Sequence, residues 1–379
     1  MSLKALIMAG DFLPPCSGSS ERVWILTGRL VELGFNIFLS MHIWRDFDVD
    51  IEGIKMMPFP RWRFYVHKLL RWFIELLKSS RYDILQVELF SPLRSLLARV
   101  ALHPFTRKTI LVIHDLSWLY QMSKSKGWQK LLNHVLILLN LRLYDLVIFV
   151  SEDLKRMYSQ FYGKILEDKT AVVPSGIPLR ALTCVYDRVK SREKLNLPKE
   201  TFIVVFFGPM HAPFNREAAE YLYAVSAYVS QRFREKVHRN LMFVIAGRGT
   251  EKLASTPYVR PLSFVEDIFE LLAVADACII PHKPSYTGPH VKTLYAFAAG
   301  CPVIATLDGV KGLDAKEYEH YMPFIRSSID TLVEALVKIA KDEELRQKIV
   351  KNSKELVRKL TWENITREYA RLILKVLKG

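Results

Sequence analysis

Short, continuous apolar runs separated by amphipathic helical stretches constrain this chain more than any other feature. KALIMAG, FNIFLSMHI, ILQVELF, TILVIHD, DLVIFVS and TAVVPSG follow one another through the first half, each ending in a turn. A strand with one wet face would alternate apolar and polar residues. These runs do not alternate, so both faces must be covered, as in a parallel sheet flanked by helices. The rhythm restarts at TFIVVFFG and continues through LMFVIAG, DACIIPH and CPVIAT. Between the two series lies LRALTCVYDRVKSREKLNLPKE, charged and only partly helical, which reads as a linker over 181–199.

The expected fold class is therefore α/β: two doubly wound, Rossmann-like domains facing a cleft, over 1–180 and 200–358. A length of 379 residues suits two such cores. The basic amphipathic helix at the C-terminus, 360–379, either closes the second domain or returns to the first.

The formal net charge of +15 calls for an anionic partner: nucleic acid, acidic lipid or a phosphorylated substrate. No RNA- or DNA-binding motif accompanies the charge, so a nucleic-acid partner is not expected. Cys16, Cys184, Cys278 and Cys301 lack metal or disulfide spacing, which suggests a reducing, cytoplasmic setting without a metal. The N-terminal run reads as a first strand, not a signal peptide. The apolar stretch 131–150 contains Asn133, His134, Asn140, Arg142 and Asp145, and reads as a helix followed by a buried strand, not a membrane span.

Ligands of doubly wound sheets sit outside the carboxyl ends of the strands. In the first half, Gly18 and Ser19 lie in a small-residue loop feeding a helix, where backbone amides attract negative charge. His114 and Asp115 end the strand TILVIHD, a position suited to hydrogen bonding or proton transfer in a cleft. In the second half Gly208 and His211 follow a strand, Asn215 reads as a helix cap, and Arg248 lies just past another strand. In TGPHVKTLYAFAAGCPVIAT, Pro289 suits a first helical position, so the amides of His290, Val291 and Lys292 would face an anion. Helical spacing would put Gly288, Lys292 and Tyr295 on one face.

Taken in order, these segments resemble the retaining family-four (group 1) glycosyltransferases of GT-B fold. The resemblance rests on HD after a strand, DLVIFVSEDLKRMY, AVVPSGIP, G-x-M-x-x-x-x-N, and above all GxxxKxLxAxAxGxPVIAT. It implies a nucleotide-diphosphate sugar as substrate, held chiefly by the second domain, and an acceptor, lipid-linked or polysaccharide, held by the first. It also implies transfer with retention, no metal or other cofactor, His114 and Asp115 in the catalytic role, and a C-terminal helix that crosses back to the first domain. The family's two glutamates are replaced here by Thr287 and Tyr295, which leaves a catalytically silent homologue serving as a scaffold as the alternative.

One stretch stands apart. At 61–82, Arg61, Arg63, Lys68, Arg71, Lys78 and Arg81 interleave with Trp62, Phe64, Tyr65, Trp72 and Phe73. A basic amphipathic helix with aromatics suits the surface of an anionic membrane. Peripheral attachment at the inner face of the membrane is the expectation it carries.

Overall fold

The computed structural model describes residues 2–13, 17–43, 52–56, 81–88, 91–284 and 288–378. The 61–82 expectation lies almost wholly outside the described residues. The chain divides into two compact units, one of Met1–Ser175, Tyr286–Gly288 and Trp362–Gly379, the other of Gly176–Ser285 and Pro289–Thr361.

The first unit runs β1 (Lys4–Leu13), α1 (Gly18–Glu32), β2 (Asn36–Ile43), β3 (Ile54–Met56), β4 (Tyr82–Glu88), α2 (Pro92–Leu102) and β5 (Thr106–Ile113). It continues through α3 (Ser117–Lys124), α4 (Trp128–Leu143), β6 (Leu146–Phe149), α5 (Glu152–Leu166) and β7 (Thr170–Val172). Its strands pair in parallel in the order β3-β2-β1-β4-β5-β6-β7. The reversal of order between β1 and β4 places a topological switch point beside the ends of those strands.

The second unit comprises α6 (Arg180–Thr183), α7 (Arg188–Lys194), β8 (Phe202–Phe207), α8 (Pro213–Val237), β9 (Leu241–Ala246), β10 (Val259–Leu262), α9 (Ile268–Val274) and β11 (Ala277–Ile280). There follow α10 (Val291–Ala299), β12 (Val303–Ala305), β13 (Met322–Pro323), α11 (Ile329–Lys341) and α12 (Glu343–Val357). Its sheet is also parallel, ordered β10-β9-β8-β11-β12-β13, with the switch point between β8 and β11. Each face of this sheet has its own apolar layer: Ile203 and Val205 join one, and Phe202, Val204 and Phe206 the other. Covering on both sides is why the strand sequences show no alternation.

The expected linker is not one. Residues 180–183 and 188–194 form α6 and α7, and the whole stretch belongs to the second unit. Arg192 on α7 is buried, donates to the carbonyls of Val274, Lys199 and Thr201, and pairs with Asp276 at 2.8 Å. A charged sequence read as a linker is held here by one satisfied guanidinium.

The closing helix α13 (Trp362–Lys378) belongs to the first unit. It buries Trp362, Ile365, Tyr369 and Ile373, and Glu363 pairs with Arg29 of α1 at 2.7 Å.

Candidate functional site

In the second unit, the ends of β8 and β9 approach each other through two glycines. Gly208 has φ of 150° and Gly247 has φ of 138°. A Cβ on Gly208 would lie 2.6 Å from the Asn215 amide, and one on Gly247 would lie 2.3 Å from the Gly208 carbonyl. Protein atoms already fill the space a side chain would take at either glycine, so the two strand ends pack closely, with Gly208 at the β8 end beside the switch point.

Asn215 is not the helix cap expected of it. α8 begins at Pro213 with Ala212 at the cap, so Asn215 is the third residue of the first turn and is buried. Its amide donates to the Pro209 carbonyl at 3.0 Å, leaving its Oδ1 to accept from Lys292 Nζ.

α10 also differs from expectation: it starts at Val291 with His290 at the cap, so Gly288 and Pro289 precede it. Lys292 is buried, its Nζ 3.2 Å from His282 Nε2 and over the rings of Phe206 and Phe214 at 4.6 and 5.7 Å. Burial pushes its pKa down to about 7. The cation therefore depends on its surroundings for its charge, and an arriving anion would raise its pKa.

His282, one residue past Pro281 at the end of β11, stacks on His290 with ring centroids 4.3 Å apart. Burial, assisted by the Lys292 charge, drives the pKa of His282 down. Burial also lowers that of His290, against the pull of Asp308, whose Oδ2 lies 3.7 Å from His290 Nε2. Both imidazoles are thus neutral at neutral pH, and Lys292 is the titratable cation of the cluster.

Tyr295 leaves this cluster. It is buried in an apolar layer with its ring 5.3 Å from Phe269 of α9, so Gly288, Lys292 and Tyr295 do not share one working face. Arg248 is exposed with its guanidinium 5.3 Å from the Phe264 ring, and His211 is exposed on the loop before α8. A backbone bond from Met210 to the Arg248 carbonyl at 2.8 Å joins those two loops. Thr287 lies outside the described residues.

In the first unit, Gly18 opens α1 and Ser19 follows in its first turn, behind a Ser17–Ser20 capping box. Those hydroxyls serve the helix start. His114 is buried just past β5, its Nε2 2.8 Å from Glu88 Oε2 at the end of β4. Burial would raise the Glu88 carboxyl, but the His114 bond and the Arg22 charge outweigh it and hold its pKa below the ordinary range. A carboxylate can only accept, so His114 donates from Nε2.

Gln86 donates to Glu88 Oε1 and accepts from the Tyr369 hydroxyl, while Arg22 donates to the Pro174 carbonyl. Asp115 accepts from the Ser117 amide at 2.8 Å and so holds the turn into α3. Arg22, Glu88, His282 and Asp308 were not singled out from sequence. Glu88 carries a readable signal, a lone acid in the apolar run ILQVELF, and His282 stands past DACII as His114 stands past TILVI.

With this geometry in view, the family models are informative. One described as Glycosyltransferase Family 4 matches residues 17–181, and one described as Glycosyl transferases group 1 matches residues 201–350. The chain belongs to the group 1, family-four-like glycosyltransferases. No curated protein matches the sequence significantly.

Solved structures agree on the architecture of this glycosyltransferase. Sucrose-phosphate synthase from Thermosynechococcus elongatus aligns over 100% of both chains with a TM-score of 0.73 at 19% identity. A glycosyltransferase from Rickettsia africae aligns over 100% of this chain and 99% of its own with a TM-score of 0.72 at 16% identity. Anabaena HepE, solved in complex with UDP-glucose, aligns over 98% of this chain and 100% of its own with a TM-score of 0.71 at 14% identity. The glycosyltransferase has the GT-B fold, two Rossmann-like domains built on the parallel sheets described above.

Proposed function

We propose that this glycosyltransferase moves a sugar from a nucleoside-diphosphate donor to an acceptor with retention at the anomeric carbon. The observation that carries this reading is the buried Lys292 at the start of α10, held by Asn215, which itself packs against Gly208. Helix amides and one cation whose charge an anion would restore suit a diphosphate. The same groups would receive the negative charge that grows on the leaving diphosphate, so the residues themselves supply what a metal would otherwise do. The UDP-glucose in the HepE structure supports the donor class by analogy.

His114 acts on the reacting sugar in this reading. Its Nε2 is committed to Glu88, which leaves Nδ1 to hydrogen-bond a sugar hydroxyl. The acceptor substrate is held by the first unit.

A second reading is favoured by Tyr295, which packs on Phe269 where family members carry an acid for the ribose hydroxyls. A silent homologue, serving as a binding or scaffold subunit, would turn nothing over. Titration calorimetry with a panel of nucleoside diphosphates and their sugars, joined to an assay of donor consumption, separates the two. Binding with consumption supports the enzyme, whereas binding without consumption, or no binding at all, supports the silent homologue.

A further inference from the structure

Trp128, Leu131, Leu132 and Val135 follow one another at helical spacing on α4 and are 71, 65, 46 and 38% exposed. The opposite face of the helix is fastened. His134 stacks on Tyr162 of α5 at 5.5 Å, and Asn140 donates to the Pro92 carbonyl at 2.7 Å. The Tyr144 hydroxyl just past α4 donates to the Ser95 carbonyl at 2.8 Å. A water-facing stripe headed by a tryptophan, on a helix so firmly held, is a surface to which the described residues supply no cover.

Its position is defined by the same bonds. Asn140, Leu143 and Tyr144 meet Pro92, Arg99 and Ser95, so α2 and α4 run in the same direction. α2 starts just past the end of β4, at the carboxyl edge of the sheet. Trp128 lies twelve residues before Asn140, so α4 extends beyond that level by roughly 18 Å. The stripe therefore projects past the edge of the sheet at which His114 stands.

We propose that the first half of α4 inserts this stripe into the surface of an anionic lipid bilayer. The charges select the occupant. From Ser117 to Leu143 the sequence holds Lys124, Lys126, Lys130 and Arg142 and no acid, and the three lysines are exposed around the start of α4. A second copy of the chain would set these lysines against their own kind. Four side chains also fall short of the roughly 800 Å² per partner that a stable protein interface buries. Shallow insertion of a tryptophan and two leucines with lysines at the headgroups needs neither acids nor a large area. The inference stands on the first unit alone and holds whether or not the donor site turns over.

The test is sedimentation of the full chain with phosphatidylcholine vesicles, with and without phosphatidylglycerol. Binding is expected only with the anionic lipid and should weaken as salt rises. Replacing Trp128, Leu131 and Leu132 together by Ser should lower partitioning at least about tenfold. Lys124→Gln, Lys126→Gln and Lys130→Gln combined should remove the lipid-charge dependence. These side chains are exposed, and unchanged circular dichroism and melting would show the variants folded. Brominated lipid should quench part of the fluorescence in the wild type and less of it in Trp128→Phe.

Unchanged partitioning of the Ser variant overturns the proposal. So does binding that is lost only when Arg61, Arg63, Lys68 and Arg71 become Gln, which would move the contact to another segment. Concentration-dependent dimerisation abolished by Trp128→Ser, without lipid binding, also overturns it, because the stripe would then serve a second copy.

Discussion

Lys292 concentrates the chemistry of the second unit because its charge is conditional. With a pKa lowered to about 7 by burial, it is largely neutral at pH 8 and above until an anion arrives. Diphosphate binding near pH 8 should therefore take up protons, seen as a binding enthalpy that varies with the ionisation enthalpy of the buffer. Lys292→Met should remove that dependence and weaken diphosphate binding by about 1.5–3 kcal/mol, the value of a hydrogen bond to a charged group. The same shift bears on stability. The folded lysine binds fewer protons than the unfolded one between about pH 7 and its ordinary range near 10.5, so its contribution grows as pH rises through that window and is lost as pH falls through 7. Denaturant midpoints at about pH 7 and pH 9 should differ less in Lys292→Met than in the wild type, once other groups are subtracted as common to both. In the first unit, Glu88→Gln keeps a carbonyl facing His114 but removes the carboxylate that balances Arg22. Turnover should fall well beyond any change in diphosphate affinity, which calorimetry and initial rates measure separately.

At the scale of elements, the inner strands and the edge strand β7 were legible and the other three edge strands were not. Ten apolar runs marked ten strands because burial on both faces demands unbroken hydrophobicity. The strands β3, β10 and β13 lie at sheet edges and are two to four residues long. β10 contains Pro261, which cannot donate to a ladder and is tolerated at an edge, so its sequence carries no strand signal. The helix starts were misplaced for a related reason. Pro289 and Asn215 have the right chemistry for a first turn and a cap, but the chain extends before α10, and α8 begins two residues before Asn215. Lys292 and Glu88 were half legible, as charges inside apolar runs, yet only the fold reveals that Asn215, His282 and His114 are their partners. The meeting of β8 and β9 gives a further prediction. Gly208→Ala and Gly247→Ala place a Cβ at unfavourable φ and against a neighbour, and each should cost about 1–3 kcal/mol in chemical denaturation. Tyr295→Glu, attractive from sequence as a restored acid, would bury a carboxylate beside Phe269. It should lower the melting temperature and leave nucleotide affinity no tighter, as thermal melts with and without nucleoside diphosphate would register.

At the scale of the whole molecule, α13 completes a unit that the first 175 residues leave unfinished. It supplies Tyr369 to the Gln86–Glu88–His114 chain and Glu363 to Arg29, and it buries Trp362. Ending the chain at Thr361 should therefore destabilise the first unit selectively, with proteolysis appearing there before it appears in 176–361. The central claim, though, is that the second unit holds a nucleoside diphosphate through Lys292 and the start of α10. Titration calorimetry of the wild type and Lys292→Met against nucleoside diphosphates and their sugars tests it most directly. Saturable heat for at least one of them, with proton uptake near pH 8 that disappears in Lys292→Met, is the result predicted. Absence of heat with every nucleoside diphosphate and sugar at millimolar concentration, or binding that Lys292→Met leaves unchanged, would contradict it.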